Sequence, residues 1–222
     1  MAISAPLPPS RDLTAEANHR IANNLMMIAA LVRRQSTSIS TGHRPATAEE
    51  VLAVLREVEA RIEIVGRLHR LLAEGQQGGA VNLGVYLRDV AEMAVSSLGY
   101  AERTELSHTS SADCTVPAEQ AILIGLIVGE LVTNSLKYAH PTGIAGKISV
   151  GCRRTVEAMV LVEVEDNGIG LPEGFDPATQ GYLGLSLVRS LAKQLGANPI
   201  FESSAIGLQV SLLVPAEATP PT

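Results

Sequence analysis

The chain has 222 residues, 46% apolar and 18% charged, which supplies a sizeable core and excludes global disorder. With no Trp, four Tyr and two Phe, it lacks the aromatic platforms that bind single-stranded nucleic acid. A formal net charge of -6 excludes a generally basic nucleic-acid-binding surface, and two cysteines give neither a disulfide framework nor zinc spacing.

Residues 1–10 and 216–222 are rich in Pro, Ala and Thr and read as disordered tails. The first tail has no apolar stretch behind a basic start, so it is not a signal peptide. The longest apolar runs, such as Ala121 to Gly129, fall short of the roughly 20 residues of a membrane span. Together with the scarcity of cysteine, this gives the expectation of a cytoplasmic protein without a membrane span.

Between Arg11 and Ile39, the spacing of Ile21, Leu25, Ile28 and Val32 predicts a helix. A break follows at Ser40, Thr41, Gly42 and Pro45. The next helix is expected to start near Thr47, where Thr47 and Glu50 have capping-box spacing. Along it, Val51, Leu55, Val58, Ile62, Val65, His69 and Leu72 alternate steps of four and three, the seam a helix shows to bundle partners. Gly75, Gly78 and Gly79 end it as a linker. Two long helices bury little against each other, so pairing of two hairpins into a four-helix bundle, and hence a homodimer, is expected.

After the linker, Leu83 to Leu98 and Ala118 to Ala139 read as helices, and Lys147 to Arg153 and Met159 to Glu165 as strands. Leu183 to Leu195 is again helical, stopped by Gly196, and strands over Ile200 to Ser203 and Leu208 to Val214 close the chain. The fold class is therefore α+β: a helical hairpin over 11–78, then an α/β sandwich over 79–216. Charge is uneven, +1 for residues 1–78 and −7 for the remainder. A phosphate site in the acidic part would rely on backbone amides, a metal and a few local cations.

Four constellations carry chemistry. On the first helix, His19 and Asn23 share a face away from the apolar stripe, with Glu16 one turn before. A carboxylate can orient one imidazole nitrogen and leave the other nucleophilic, although the same spacing describes a solvated histidine. In Glu130-Leu131-Val132-Thr133-Asn134-Ser135-Leu136-Lys137-Tyr138, the residues Glu130, Asn134 and Lys137 fall on one stripe. A carboxylate, an amide oxygen and an ammonium there suit hydrated magnesium and phosphate, or else form the wet side of an amphipathic helix. Asp166-Asn167-Gly168-Ile169-Gly170 follows an apolar strand, so Asp166 can accept from an exocyclic amine while the glycines admit a flat ligand; an ordinary turn has the same letters. Gly181-Tyr182-Leu183-Gly184 opens a helix whose amides could face phosphate, or it is a plain N-cap turn.

Their order raises these weak signals. E-x-x-x-N on a helix, D-x-G-x-G after a strand and a glycine turn into a helix resemble the Bergerat-fold ATP-binding domain shared by histidine kinases, gyrase, Hsp90 and MutL. The upstream His19-Arg20-Ile21-Ala22-Asn23-Asn24-Leu25 stretch resembles the phosphoacceptor box of the second histidine-kinase dimerisation family. The resemblance implies that His19 is phosphorylated, with Asn23 beside it in the catalytic box, and that Asn134 ligates Mg2+ with Glu130 in its shell. It further implies that Asp166, Gly168 and Gly170 hold the adenine of ATP. Lys137, Tyr138, Gly181, Leu183 and Gly184 would line the rest of the nucleotide site, with Leu171 to Gln180 as the lid.

Some positions depart from the pattern. Gly129 stands where relatives often carry Asn or His, and Tyr182 where Ser or Gly is usual. Arg20 follows the phosphoacceptor where commoner kinases place an acidic base, which leaves Glu16 as the expected base. The absence of Trp excludes the His-Trp-Glu signature of the neighbouring HWE kinases. The expected function is autophosphorylation of His19 from ATP and transfer to an Asp of a response-regulator receiver, docked near Arg20, Met26 and Met27. Eighteen residues before His19 hold no sensor, so input is expected from a separate sensor or upstream protein, unless the chain is a fragment. The rival readings are a histidine phosphotransferase with a degenerate ATPase-like domain, a nucleotide-gated module or anti-sigma-type serine kinase, and a plain α/β domain on a hairpin.

Overall fold

Thr47 precedes helix α1, Ala48–Ala73, at the expected capping position, and the helix ends just before the glycine cluster. The computed structural model describes residues 47–73, 80–140, 144–155, 157–180 and 183–216. The expected first helix, the glycine linker and the residues beyond Ala216 lie outside them.

A short strand β1 (Ala80–Asn82) leads into α2 (Leu83–Ser97), where the Asn82 side chain accepts from the Val85 amide as an N-cap. A 3-10 turn (Ala101–Arg103) enters β2 (Thr104–Ser110), and β3 (Thr115–Pro117) pairs antiparallel with β1. Helix α3 (Ala118–Asn134) continues into a π turn over Ser135–Ala139. Then follow β4 (Gly146–Arg154), β5 (Met159–Asp166), α4 (Leu183–Gln194), β6 (Pro199–Ser204) and β7 (Gly207–Pro215). Among the described residues, α1, α2, α4 and the four expected strands end within two residues of expectation, and the helix expected over Ala118 to Ala139 is α-helical to Asn134 and completes its span as the π turn. Strands β1, β2 and β3 were not anticipated.

The main sheet runs β2-β4-β5-β7-β6, with β2 parallel to β4 and every other neighbour antiparallel. Alternation decides its faces: Ile148, Val150 and Cys152 of β4, Val160, Val162 and Val164 of β5, and Val210, Leu212 and Val214 of β7 are buried. The opposite face is polar, with Lys147 and Glu105 forming an exposed ion pair at 2.7 Å. Helices α2, α3 and α4 cover the apolar face. Cys114 and Cys152 are free and buried within it.

Helix α3 is apolar almost all round because it has neighbours on every side. Over Ala118–Ala139 it is long and apolar enough to cross a membrane by length and composition, which a count of uninterrupted apolar runs overlooked. Yet 72% of that window is buried inside the protein, as suits a core helix.

From Ala46 onward the chain forms one compact unit, so α1 packs with the sheet domain, on α2 and α3. Ile64 and Val65 are buried in that contact, and Tyr86 of α2 donates to the Ile64 carbonyl at 3.2 Å. Burial drives the Tyr86 phenol far above its ordinary value, so it acts purely as a donor. Arg67 pairs with Asp89 at 2.6 Å on the same helices. Of the heptad positions, Val65 is buried in this contact while Val51, Leu55 and Ile62 remain exposed, so part of the seam stays open. Ile64 of α1 packs directly on Gly129 of α3: a Cβ there would meet Ile64 Cδ1 at 2.5 Å. An Asn or His at this position would push α1 away.

Candidate nucleotide-binding site

The C-terminal turns of α3 and the ends of β5, β6 and β7 border a cavity of about 430 Å³, within the range of small-molecule and cofactor pockets. Glu130, Asn134, Lys137 and Tyr138 border it on the α3 side, Asp166 and Gly170 at the end of β5, and Gly184 at the start of α4. The sequence therefore brings together seven of its candidate residues. His19, Glu16, Asn23 and Gly181 lie outside the described residues, and Leu183 opens the backbone of α4.

Glu130 is not on a wet helix face; it is 9% exposed. One carboxylate oxygen, Oε1, accepts from Arg61 Nε of α1 at 2.6 Å. The other looks toward Gly184, where an added Cβ would stand 3.0 Å from Oε2 and within 3.7 Å of both terminal atoms of the Asn134 amide. The absent side chain at Gly184 is what keeps this corner open. Past Asn134 the π turn alters helical spacing, yet Lys137 still borders the cavity and Tyr138, 60% exposed, sits at its mouth.

Asp166 is 6% exposed and held from three directions. Ser135 Oγ donates to Oδ2 at 2.7 Å, and the amides of Gly168 and Leu208 donate to Oδ1 at 3.0 and 3.4 Å. These bonds keep the carboxylate aimed as an acceptor at the cavity floor. The two glycines of the turn act differently. Gly170 borders the cavity with φ +69, beside the Ser204 carbonyl, whereas Gly168 does not line it and instead packs on Ala139 with no room for a Cβ. Apolar walls come from Leu171, Phe175, Phe201, Leu208 and Val210.

The segment Leu171 to Gln180 covers the cavity edge and is fastened at both ends. Ser203 Oγ accepts from the Leu171 amide at 2.8 Å, and Arg189 of α4 donates to the carbonyls of Pro177 and Gln180 at 2.7 and 2.8 Å. Within it, hydrogen bonds from Thr179 and the Ala178 amide hold the Asp176 carboxyl below its usual range. Arg61, Ser135 and Arg189 are the site residues missed in the sequence. Ser135 lay inside the motif, while Arg61 and Arg189 act across sequence separations that no local spacing encodes.

A helix presenting Glu130 and Asn134 over a mixed sheet, with Asp166 at a strand end and a glycine at the next helix start, defines a nucleotide-binding sandwich of the ATPase class. A family model described as "Histidine kinase-, DNA gyrase B-, and HSP90-like ATPase" matches residues 119–218, and one described as "Histidine kinase" matches 16–98. Residues 16–98 thus match the histidine-kinase family and residues 119–218 the ATPase family, in that order along the chain. It is 30% identical over 203 residues to blue-light-activated histidine kinase 2 of Erythrobacter litoralis, covering 90% of this chain and 56% of that one. It is 27% identical to the sensor histidine kinase PdtaS of Mycobacterium tuberculosis, over 93% of this chain and 40% of the relative. The solved histidine kinase domain of the Erythrobacter litoralis blue-light-activated kinase superimposes with a TM-score of 0.68 at 28% identity, covering 91% of this chain and 92% of that domain. The chain thus spans about half the length of the curated relatives it matches.

Proposed function

We propose that the chain is a protein-histidine kinase that transfers the γ-phosphoryl group of ATP to His19 and passes it to an Asp of a response-regulator receiver. The convergence of Glu130, Asn134, Asp166 and Gly184 on one cavity carries this reading. The donor set suits the cofactors: Asp166 is buried and aimed to accept from an amine, and Glu130 with Asn134 offers hard oxygens for Mg2+ beside a cradle that a Cβ at Gly184 would fill. Among the described residues no three His, Cys, Asp or Glu side chains cluster as a metal cage, so phosphate and water oxygens would complete the coordination.

When bound, Mg-ATP supplies the activated phosphoryl group and spreads its charge. The chain's own groups position and shield. Asp166 fixes the base end, Asn134 and Glu130 hold the phosphate end, and the fastened segment Leu171 to Gln180 limits water. His19 attacks through one ring nitrogen; the new P–N bond replaces the P–O bond to ADP, and the imidazole proton passes to Glu16, the expected base. The hairpin over 11–78 would carry His19, pair with a second copy and receive the receiver near Arg20, Met26 and Met27. The seam face at Val51, Leu55 and Ile62 is exposed as such pairing requires. A cytoplasmic site of action belongs to the same proposal.

The test incubates wild type, His19→Ala and Asn134→Ala with γ-labelled ATP and magnesium. Acid-labile label in wild type, lost in both variants, is the expected result. No label, with His19-dependent acceptance from a phosphorylated receiver, would instead show a phosphotransferase.

A further inference from the structure

The Arg61–Glu130 pair joins two parts of the molecule that the sequence separates by 69 positions. Arg61 belongs to α1, within the segment that matches the histidine-kinase family model, and Glu130 to the motif helix of the nucleotide site. Both side chains are nearly removed from solvent, at 5% and 11% exposure, and the 2.6 Å separation is that of a strong charge-assisted bond. A carboxylate this deep is costly without a partner, and its partner is supplied from outside the motif domain.

The two oxygens of Glu130 divide the work. Oε1 takes Arg61 Nε, while Oε2 stands at the Gly184 corner next to the Asn134 amide. Holding one oxygen fixes where the other points. Glu130 also borders two cavities, the nucleotide pocket and a small crevice between α1, α2 and α3 lined by Arg61. Its carboxylate is thus the wall between the docked helix and the nucleotide.

We propose that Arg61 is a positioning residue of the nucleotide site: from α1 it clamps Glu130 Oε1 so that Oε2 faces Mg-nucleotide beside Asn134. The site is then completed only when α1 is docked, which makes nucleotide affinity report on the docking of α1. This inference rests on the kinase reading above. Arg67 supplies the control, because it also ties α1 to α2 by an ion pair, with Asp89, without touching the nucleotide cavity.

The experiment measures equilibrium binding of trinitrophenyl-ATP to the full chain, with magnesium and with EDTA, alongside thermal melting. Arg61→Met should lose most of the magnesium-dependent gain in affinity, at least fivefold, and Arg61→Lys should recover part of it as a point charge without the fork. Arg67→Met should lower the melting temperature yet keep the magnesium-dependent gain. In a Glu130→Gln background, Arg61→Met should change binding no further, and this pair of variants also keeps the test valid if Arg61→Met alone melts early. Equal losses in Arg61→Met and Arg67→Met would reduce Arg61 to a docking contact and overturn the proposal, as would unchanged binding in Arg61→Met. Wild type that binds no analogue at all is a different outcome; it removes the kinase reading and this inference with it.

Discussion

Ser135 donates to Asp166 at 2.7 Å, so the first residue of the π turn fixes the carboxylate at the end of β5. Motif helix and strand end are thereby set in one geometry before any ligand is present. Ser135→Ala removes a hydrogen bond to a buried charged group, worth about 1.5–3 kcal/mol. Trinitrophenyl-ATP affinity should fall roughly tenfold or more, with the fold retained by circular dichroism. An unchanged affinity would mean that the Gly168 and Leu208 amides alone hold Asp166.

Arg189 ties Pro177 and Gln180 to α4, so Arg189→Ala should free the C-terminal end of that segment. Amides of Thr179 and Gln180 should exchange with solvent several-fold faster, while those of Val160 to Val164 in the core keep their protection. Faster exchange throughout would instead mark Arg189 as a determinant of global stability.

Gly129 makes a graded prediction. In Gly129→Ala the new methyl meets the far end of the Ile64 side chain, which can rotate, and the helix gains about 1 kcal/mol in propensity, so stability should change little. Gly129→Leu has no such escape and should cost about 1–3 kcal/mol by overpacking, read as a lower urea midpoint. It should also part Arg61 from Glu130.

His108 of β2 supplies a pH prediction. Burial first, and then the Arg88 guanidinium, hold its imidazole below the ordinary value, against the opposing pull of the Val150 backbone, Glu92 and Asp89. The unfolded chain, with a pKa near 6.5, then binds the proton first. Stability from this group is full above about pH 6.5 and declines as pH falls toward the folded value. Urea midpoints at pH 7.5, 6.5 and 5.5 should drop for wild type more than for His108→Gln; parallel curves would remove His108 as the cause.

Much of this was legible in the chain. Helices such as Leu83–Ser97 and strands such as Met159–Asp166 follow from apolar period, and the motif order pointed to one cavity. Strand β2 escaped because it lies at a sheet edge, where Glu105 and Ser107 face solvent and Leu106 carries little of the pattern. The π turn escaped because nothing in Ser135-Leu136-Lys137-Tyr138 opposes an α-helix locally; tertiary packing selects it. Helical spacing left Glu130 open between a metal-shell role and a solvated helix face, because Arg61, the partner that permits its burial, comes from another helix. Buried charge cannot be read from the segment that carries it.

The single parallel pairing in the sheet has a kinetic meaning. β4–β5 and β6–β7 are antiparallel neighbours that close through short connections, whereas Thr104 of β2 must find Gly146 of β4 across all of β3 and α3. Chain closure over such distances is slow, because ordering entropy is lost before the contacts repay it. The β4–β5 and β6–β7 hairpins can therefore assemble early, whereas β5–β7, which joins Asp166 to Leu208, and β2–β4 follow. During synthesis, a ribosome-bound chain would hold β2 and α3 waiting for β4 to emerge, with the apolar surface of α3 transiently bare and in need of chaperoning.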